Sequence, residues 1–220
     1  MCPSWFLRFF SKTDIPEVPI HYRETPFHFG LKEPVLVAAL ARPGYSGQEP
    51  MMTMKYLKAH KIKTIFGLEA SPEFNVMAKT LGMNYVDVSI PDFTAPDVKL
   101  FDQVFEEIIK QARDGKKVAI HCMGGRGRTG TVLAALKLKE LSASKSFYEH
   151  DAIMDSNVGL SYDFGPSPCT ANVMKAVLAI RGIKGSEGAV EASVQIESLC
   201  DYERLLRANH LQVQKGRSNL

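Results

Sequence analysis

A short stretch near the middle of the chain combines a cysteine with several glycines and two arginines. It reads Ile120-His121-Cys122-Met123-Gly124-Gly125-Arg126-Gly127-Arg128-Thr129-Gly130 and joins a strand-like run to a helical one. In such a loop, backbone N–H groups and the positive end of a helix dipole converge on one concavity. The guanidinium of Arg128 matches two phosphate oxygens. The stretch predicts a phosphate-binding loop comprising Met123, Gly124, Gly125, Arg126, Gly127 and Arg128.

Cys122 stands at the mouth of this predicted loop. The reactive species of a cysteine is the thiolate, which helix N-termini and nearby cations stabilise. We therefore expect the sulfur of Cys122 to attack phosphorus and form a cysteinyl-phosphate that water hydrolyses. His121 is expected to form a hydrogen bond beneath the loop and to tune the thiolate. Thr129 either donates its hydroxyl to the departing thiolate or is an ordinary residue at a helix start.

A reaction of this kind needs an acid for the leaving oxygen. Asp92 follows a predicted strand, and the carboxyl ends of parallel strands open on the same edge of a sheet. Asp92 can therefore lie over Cys122, protonate the leaving group and later activate water as a base. Asp97 and Asp87 are rival candidates, although Asp97 is better explained as a helix-start residue and Asp87 as a strand position.

Strand-like runs alternate with helical periodicity through the middle of the chain. Strands are predicted at residues 34–40, 64–68, 84–90 and 117–121, and helices at residues 51–60, 73–81, 98–112 and 131–141. This alternation predicts an α/β fold with a central, mostly parallel sheet and helices on both faces.

Composition shifts predict the limits of the folded unit. Residues 1–33 are rich in proline and are predicted to form an irregular N-terminal arm packed on the domain. Residues 34–209 are predicted to form the catalytic domain, with an insertion at about 145–170 and a final helix over 190–209. Residues 210–220 are predicted to form a frayed polar tail.

Charge and cysteine content exclude several classes of protein. The 220 residues carry a formal net charge of +3, which argues against a cationic surface for nucleic acid. Four scattered cysteines without a CxxC pair argue against a disulfide scaffold or a zinc site, so we expect no metal and no cofactor. No apolar run is long enough to span a membrane. We expect a monomer in the cytoplasm, and export into a host cell is also compatible with the sequence.

Residues 121–130 match the pattern HCxxGxxR[ST]G and so resemble the signature of the cysteine-dependent protein tyrosine phosphatase superfamily. The Ile-Pro-Asp-Phe stretch at residues 90–93 is similar to the dual-specificity branch, particularly its atypical and Cdc14-like members. The resemblance implies the cysteine phosphatase fold, with Cys122, Arg128 and Asp92 as catalytic residues. It extends to residues 189–195, where it implies that Gln195 helps to place the hydrolytic water.

The leading hypothesis is a protein phosphatase that acts on phosphotyrosine and also on phosphoserine or phosphothreonine, with a phosphoprotein as its partner and no nucleic acid. A phosphoinositide phosphatase is the main alternative, because Arg126 adds a second cation to the loop and residues 110–128 are locally basic. An RNA 5′-triphosphatase is weaker, since little aromatic stacking surface lies near the loop. A non-catalytic phosphate-binding adaptor is disfavoured because a nucleophile, an arginine and a candidate acid are all present.

Overall fold

A five-stranded sheet with the order β1-β2-β5-β3-β4 forms the centre of the molecule. The computed structural model describes residues 17–69, 71–149, 153–154 and 169–218. The strands of the sheet are β1 Arg23–Phe27, β2 Val35–Ala41, β3 Ile62–Gly67, β4 Asn84–Asp87 and β5 Lys117–Cys122. Strands β2, β3, β4 and β5 run parallel to one another, whereas β1 pairs with β2 in the antiparallel sense. The predicted α/β fold with a mostly parallel sheet is confirmed.

Helices cover both faces of this sheet. Their bounds are α1 Pro50–Ala59, α2 Pro72–Thr80, α3 Val98–Arg113, α4 Gly127–Leu141, α5 Ser146–Glu149, α6 Ala171–Arg181 and α7 Ser193–Ser218. Helices α1 and α2 pack on one face, and α3, α4, α6 and α7 build the larger core on the other. Two further short strands, β6 Ile153–Met154 and β7 Cys169–Thr170, pair with each other outside the main sheet.

The alternation of side chains along the central strands explains the two cores. In β2, Val37 and Ala39 belong to the larger core, while Ala38 and Leu40 face α1 and α2. Successive side chains of a strand point to opposite faces, so a strand covered on both sides must be apolar throughout. The continuous apolar runs of the sequence therefore correspond to buried parallel strands.

Helix α3 illustrates how local residues set the ends of an element. The Asp97 carboxylate accepts a hydrogen bond from the backbone N–H of Lys99 at 2.7 Å and caps the first turn. Gly115, just beyond the last turn, has a φ of 63°, a backbone conformation that glycine adopts without strain. These two residues place α3 so that the connection from β4, residues 88–97, ends above the carboxyl edge of the sheet.

The prediction of irregular structure through residue 33 is wrong for residues 23–27. These residues form β1, with Arg23 opposite Ala39 and Phe27 opposite Val35. The inward-facing side chains include Arg23 and Thr25, so the sequence shows no apolar alternation there. Pro26 is tolerated because β1 is an edge strand. Residues 1–16 of the predicted arm lie outside the described residues.

The prediction of a frayed tail after residue 209 is also wrong, because α7 begins at Ser193 and continues to Ser218. The last buried apolar residue of this helix is Leu206, so hydrophobic periodicity reveals only its packed part. Beyond it, the His210 ring stacks on Tyr148 with ring centroids 3.8 Å apart.

Helix α6 was not predicted. Of the insertion predicted at 145–170, residues 150–152 and 155–168 lie outside the described residues.

Candidate active site

The loop between β5 and α4 forms the floor of a cavity of about 230 Å³. Cys122 and residues 123, 124 and 126–128 line this cavity from below. Asp92 and Phe93 reach it from the connection between β4 and α3. His21, Tyr45 and Glu191 complete its wall. The cavity thus lies at the carboxyl edge of the parallel strands, where ligands of open α/β sheets bind.

Cys122 is the last residue of β5 and its side chain is 3% exposed. The loop that follows turns sharply, and Gly125 has a φ of 69°. A Cβ atom at Gly125 would lie 2.5 Å from the carbonyl carbon of Leu40 in β2. Only glycine permits both this conformation and this approach. The loop is therefore held against the end of β2, directly after the cysteine.

Arg128 lies in the first turn of α4 and is 4% exposed. Its Nη1 donates hydrogen bonds to the carbonyl of Ile90 at 2.6 Å and to that of Leu68 at 3.3 Å. Its Nη2 forms an ion pair with Oδ1 of Asp92 at 2.9 Å. The guanidinium is therefore anchored to the chain segments that follow β3 and β4, and it holds Asp92 over the phosphate-binding loop.

The three candidate acids differ in what their carboxylates contact. Asp92 faces the cavity with its side chain 52% exposed and pairs with Arg128. Asp97 caps α3. Asp87 accepts a hydrogen bond from the backbone N–H of Ser89 at 3.1 Å. Among the three, the structure brings Asp92 to the cysteine loop and gives the other two local structural contacts.

His121 is fully buried beneath the site. Its Nε2 lies 2.9 Å from the hydroxyl of Tyr85 in β4, so the expected hydrogen bond is made to a strand on the far side of β3. Burial lowers the pKa of His121 to about 4, and the charges of Arg128 and Arg42 act in the same direction. The imidazole is therefore neutral near pH 7 and contributes no positive charge to the thiolate.

Thr129 and Gln195 both lie within reach of the loop. The Thr129 hydroxyl is buried and has no hydrogen-bond partner among the described residues. The Gln195 side chain accepts hydrogen bonds from the backbone N–H groups of Glu191 and Ala192 at 2.7 and 3.2 Å, and donates to the carbonyl of Thr94 at 3.2 Å. Gln195 thus connects the segment before α7 to the connection that carries Asp92.

Sequence reasoning missed Glu191, His21 and Tyr45. Burial raises the pKa of Glu191, opposed most strongly by the positive charge of Arg126. A Cβ atom at Gly127 would collide with the Glu191 carboxylate, so this side chain rests directly on the phosphate-binding loop. His21 and Tyr45 lie in no motif, Glu191 lies in the resembling stretch 189–195 without an assigned role, and long-range contacts bring all three to the site. The glycine at position 127, within the cysteine motif, was the available signal of a close neighbour.

The described residues contain neither a metal-binding group of side chains nor a helix suited to span a membrane. In that part of the chain, no three His, Cys, Asp or Glu side chains are grouped so that they could bind a metal ion. No helix there has both the length and the apolar character needed to cross a membrane.

Comparisons with known proteins agree with this geometry. Residues 41–140 match the family model described as a polymorphic toxin system, DSP-PTPase phosphatase. The tyrosine-protein phosphatase cdc-14 of Caenorhabditis elegans is 32% identical over 98 residues, which are 44% of this chain and 13% of the worm protein. Residues 41–140 are therefore similar to the dual-specificity phosphatases that this family model describes and to a part of the worm Cdc14 phosphatase.

Solved structures of phosphatases are similar to most of the chain. Tk-PTP in its active form is 26% identical, with a TM-score of 0.51 over 76% of this chain and 91% of that chain. Kinase-associated phosphatase with its catalytic cysteine replaced by serine has a TM-score of 0.58 over 87% of this chain and 98% of that chain, at 19% identity. The phosphatase fold therefore includes elements outside the matched residues 41–140.

Proposed function

We propose that the chain is a protein phosphatase that hydrolyses phosphotyrosine, and also phosphoserine and phosphothreonine, through a cysteinyl-phosphate on Cys122. The observation that carries this proposal is the convergence of Cys122, Arg128 and Asp92 on one small cavity. A nucleophile, a phosphate-binding cation and a proton donor are the three groups that such a displacement requires.

The first step is attack of the Cys122 sulfur on phosphorus. The S–P bond forms as the bond from phosphorus to the ester oxygen breaks, and Asp92 gives its proton to the departing oxygen. Arg128 and the backbone N–H groups at the start of α4 stabilise the charge on the equatorial oxygens. This step leaves a cysteinyl-phosphate and the dephosphorylated side chain.

The second step is hydrolysis of the cysteinyl-phosphate. Asp92, now a carboxylate, accepts a proton from water while the water oxygen attacks phosphorus and the S–P bond breaks. The unpartnered hydroxyl of Thr129 suits donation to the departing sulfur. Gln195, tied to the carbonyl of Thr94, suits placement of the water near Asp92. Inorganic phosphate and the free thiolate are the products.

The ion pair between Arg128 and Asp92 implies an exchange of partners when substrate binds. The Nη2 atom that holds Asp92 at 2.9 Å is one of the donors that a phosphate dianion would use. Phosphate would displace the carboxylate from the guanidinium and leave it close to the ester oxygen. Away from the cation, the carboxylate takes up a proton from solvent, and this is the proton that Asp92 gives to the departing oxygen. Substrate binding and placement of the acid are then coupled through one arginine.

The rim of the cavity favours an aromatic phosphoester. His21, Tyr45 and Phe93 line the same cavity as Cys122, and Phe93 is 63% exposed. Planar rings offer stacking surface to the phenyl group of phosphotyrosine, so the expectation of little aromatic surface near the loop is wrong. The phosphoinositide alternative depends on Arg126 as an extra cation at the rim, because Met123 occupies a neighbouring loop position without charge.

Cys122→Ser tests the reaction, with Cys200→Ser as a matched control on a second buried cysteine in α7. We expect Cys122→Ser to lose all turnover of an aryl phosphate and Cys200→Ser to keep it. Acid quenching during turnover should trap one phosphoryl group on the peptide that contains Cys122, detected by mass spectrometry. Persistent turnover in Cys122→Ser would reject the proposed mechanism.

Substrate class is tested by kcat/KM on a phosphotyrosine peptide, a phosphothreonine peptide and a soluble inositol phosphate. We expect the phosphotyrosine peptide to give the highest value, followed by the phosphothreonine peptide. A higher value for the inositol phosphate, lost on Arg126→Ala, would establish the phosphoinositide alternative instead. Turnover of a 5′-triphosphorylated RNA above that of the peptides would favour the RNA triphosphatase.

We further propose that a phosphoprotein is the partner and that the protein acts as a monomer in the cytoplasm. A reduced thiol is needed for catalysis, and a reducing compartment maintains it. The description of the matched family, which names a polymorphic toxin system, is also compatible with delivery into another cell. Sedimentation analysis at working concentration tests the monomer, and cell fractionation tests the compartment.

A further inference from the structure

We propose that residues 20–25, which lie outside the family match, position the phosphate-binding loop through His21 and Arg23. The proposal rests on the function proposed above, because it assigns these side chains to the same site. Residues 20–22 precede β1, and residues 23–25 are the first three residues of that strand. The loop they contact lies about a hundred residues away in the sequence.

Three successive carbonyl groups of the loop receive hydrogen bonds from outside it. The carbonyl of Met123 accepts from the backbone N–H of Arg42 at 3.1 Å. The carbonyl of Gly124 lies 2.8 Å from Nδ1 of His21. The carbonyl of Gly125 accepts from Nη2 of Arg23 at 2.8 Å. A loop that binds an anion through its N–H groups must turn its carbonyls away, and each buried carbonyl then needs a donor.

Arg23 is an unusual residue to find in the interior, with 6% of its surface exposed. Its Nη1 donates to the carbonyl of His21 at 3.0 Å while Nη2 holds Gly125. Burial lowers the pKa of Arg23 to about 10, and Cys122 is the group that opposes this shift most. The guanidinium therefore stays charged near pH 7, and its positive charge favours the thiolate form of Cys122.

His21 links the loop to its exposed cation. Its Nε2 lies 3.3 Å from Nη2 of Arg126, while its Nδ1 faces the carbonyl of Gly124. A carbonyl can only accept and a guanidinium can only donate, so these contacts assign the imidazole proton to Nδ1. In this tautomer, one ring orients both the loop backbone and the Arg126 side chain at the cavity wall.

Pairing within the sheet keeps both side chains in place. The backbone N–H of Ala41 donates to the carbonyl of Ile20 at 3.0 Å, and Arg23 lies opposite Ala39. The segment is thus hydrogen-bonded to β2, the strand over whose end the loop passes. Arg23 lies on a strand, and groups on regular elements hold a site more precisely than groups on free loops.

The test uses Arg23→Gln in the full chain, with Arg207→Gln as the matched control. Arg207 pairs with Glu203 at 3.1 Å and lies over the Phe147 ring, so its loss also removes an arginine held by packing. Three quantities are measured on folded protein: kcat/KM for an aryl phosphate, the dissociation constant of tungstate by calorimetry, and the alkylation rate of Cys122 by iodoacetamide at pH 6.

For Arg23→Gln we expect kcat/KM to fall about 10- to 100-fold, because small misplacement of a catalytic loop has effects of this size. Tungstate should bind at least about tenfold more weakly, since the loop N–H groups lose their orientation. Alkylation of Cys122 should slow because a buried cation has been removed. Arg207→Gln should leave all three values unchanged. Equal values in both variants would overturn the proposal.

If Arg23→Gln does not fold, Arg23→Lys and His21→Ala test the positioning role instead. Arg23→Lys keeps the charge but has lost the fork that reaches two carbonyls, so we expect near-normal alkylation with weaker tungstate binding. His21→Ala should raise KM more than it lowers kcat, because Arg126 lies at the rim. If neither variant differs from the unmodified protein, the segment has no positioning role. Absence of turnover in the unmodified protein would reject the proposed function alone, because tungstate binding and alkylation need no turnover.

Discussion

At the scale of single residues, the pairing of Arg128 with Asp92 is the feature from which the chemistry follows. Arg128 is almost fully buried and gives its other hydrogen bonds to backbone carbonyls, so its orientation is set by the fold. Asp92 is half-exposed and is held by one ion pair. A rigid cation and a movable acid suit a reaction in which the same carboxyl group first gives and then takes a proton.

Removal of the acid should affect the chemical step and spare binding. We expect Asp92→Asn to lower kcat by about 10²- to 10⁴-fold for an alkyl phosphate, because general acid catalysis contributes this much. The loss should be smaller for an aryl phosphate with a good leaving group. Asp87→Asn, at the last residue of β4, is the control and should retain full activity. A comparable loss in Asp87→Asn would show that Asp92 is not the acid.

The shape of the Arg128 guanidinium should matter as much as its charge. Arg128→Lys retains a cation but cannot hold two carbonyls and two phosphate oxygens at once. We expect kcat/KM to fall about 10²-fold, the scale found for loss of one oxyanion donor. Arg204→Lys, on the exposed side of α7, controls for the substitution itself. Normal turnover in Arg128→Lys would remove bidentate recognition from the mechanism.

At the scale of elements, the connection from β5 to α4 determines whether the site exists. The loop passes over the end of β2 with no space for a side chain at Gly125. Helix α4 then begins at Gly127, and eleven of its residues are buried. The strand before the loop lies between β2 and β3 in the sheet, and the helix after it packs against α6 and α7. The loop conformation is therefore supported from both ends.

Gly125→Ala should separate the strain of a left-handed backbone from the clash with β2. Gly115 has a similar φ of 63° and open space around it, whereas Gly125 has a φ of 69° and faces backbone atoms of Leu40 at 2.5 Å. We expect Gly115→Ala to cost about 1 kcal/mol in the free energy of unfolding and to leave activity unchanged. Gly125→Ala should cost more and lose most activity. Urea unfolding and kcat/KM measure the two effects, and equal behaviour of both variants would contradict the close approach.

At the scale of the whole molecule, the two cores meet at a sheet that also carries buried polar groups. His121 contacts Tyr85 and the ring of Phe74 on the side covered by α1 and α2. It is neutral in the folded protein because burial lowers its pKa to about 4 from 6.5. Protonation of this one ring therefore opposes the folded state as a whole.

Stability should decline on acidification through a window set by His121. Below pH 6.5 the unfolded chain binds a proton at this position while the folded chain does not, so stability falls as the pH drops from 6.5 to 4. The difference of about 2.5 pH units corresponds to a loss of about 3 kcal/mol. We expect urea unfolding of His121→Asn to lack this component of the slope. His28→Asn, at an exposed position, should retain it, and a retained slope in His121→Asn would contradict the assignment.

The sequence by itself determined the candidate catalytic residues of the loop and the elements that present them. Cys122, the glycines and Arg128 all lie within residues 122–128. The strand before them and the helix after them follow from local periodicity. Four parallel strands and helices α1 to α4 were predictable for the same reason, because their residues repeat with the period of the element. The resemblance to dual-specificity phosphatases rested on this same local information.

Only the tertiary structure decided which distant residues complete the site. Strand β1 was not predicted because two of its inward side chains, Arg23 and Thr25, are polar. Its role depends on pairing with β2. His21 and Arg23 reach loop carbonyls 103 and 102 residues away. Glu191 reaches the cavity because Gly127 leaves room for its carboxylate. Such contacts depend on how whole elements pack, and no periodicity or spacing within a single segment records that packing.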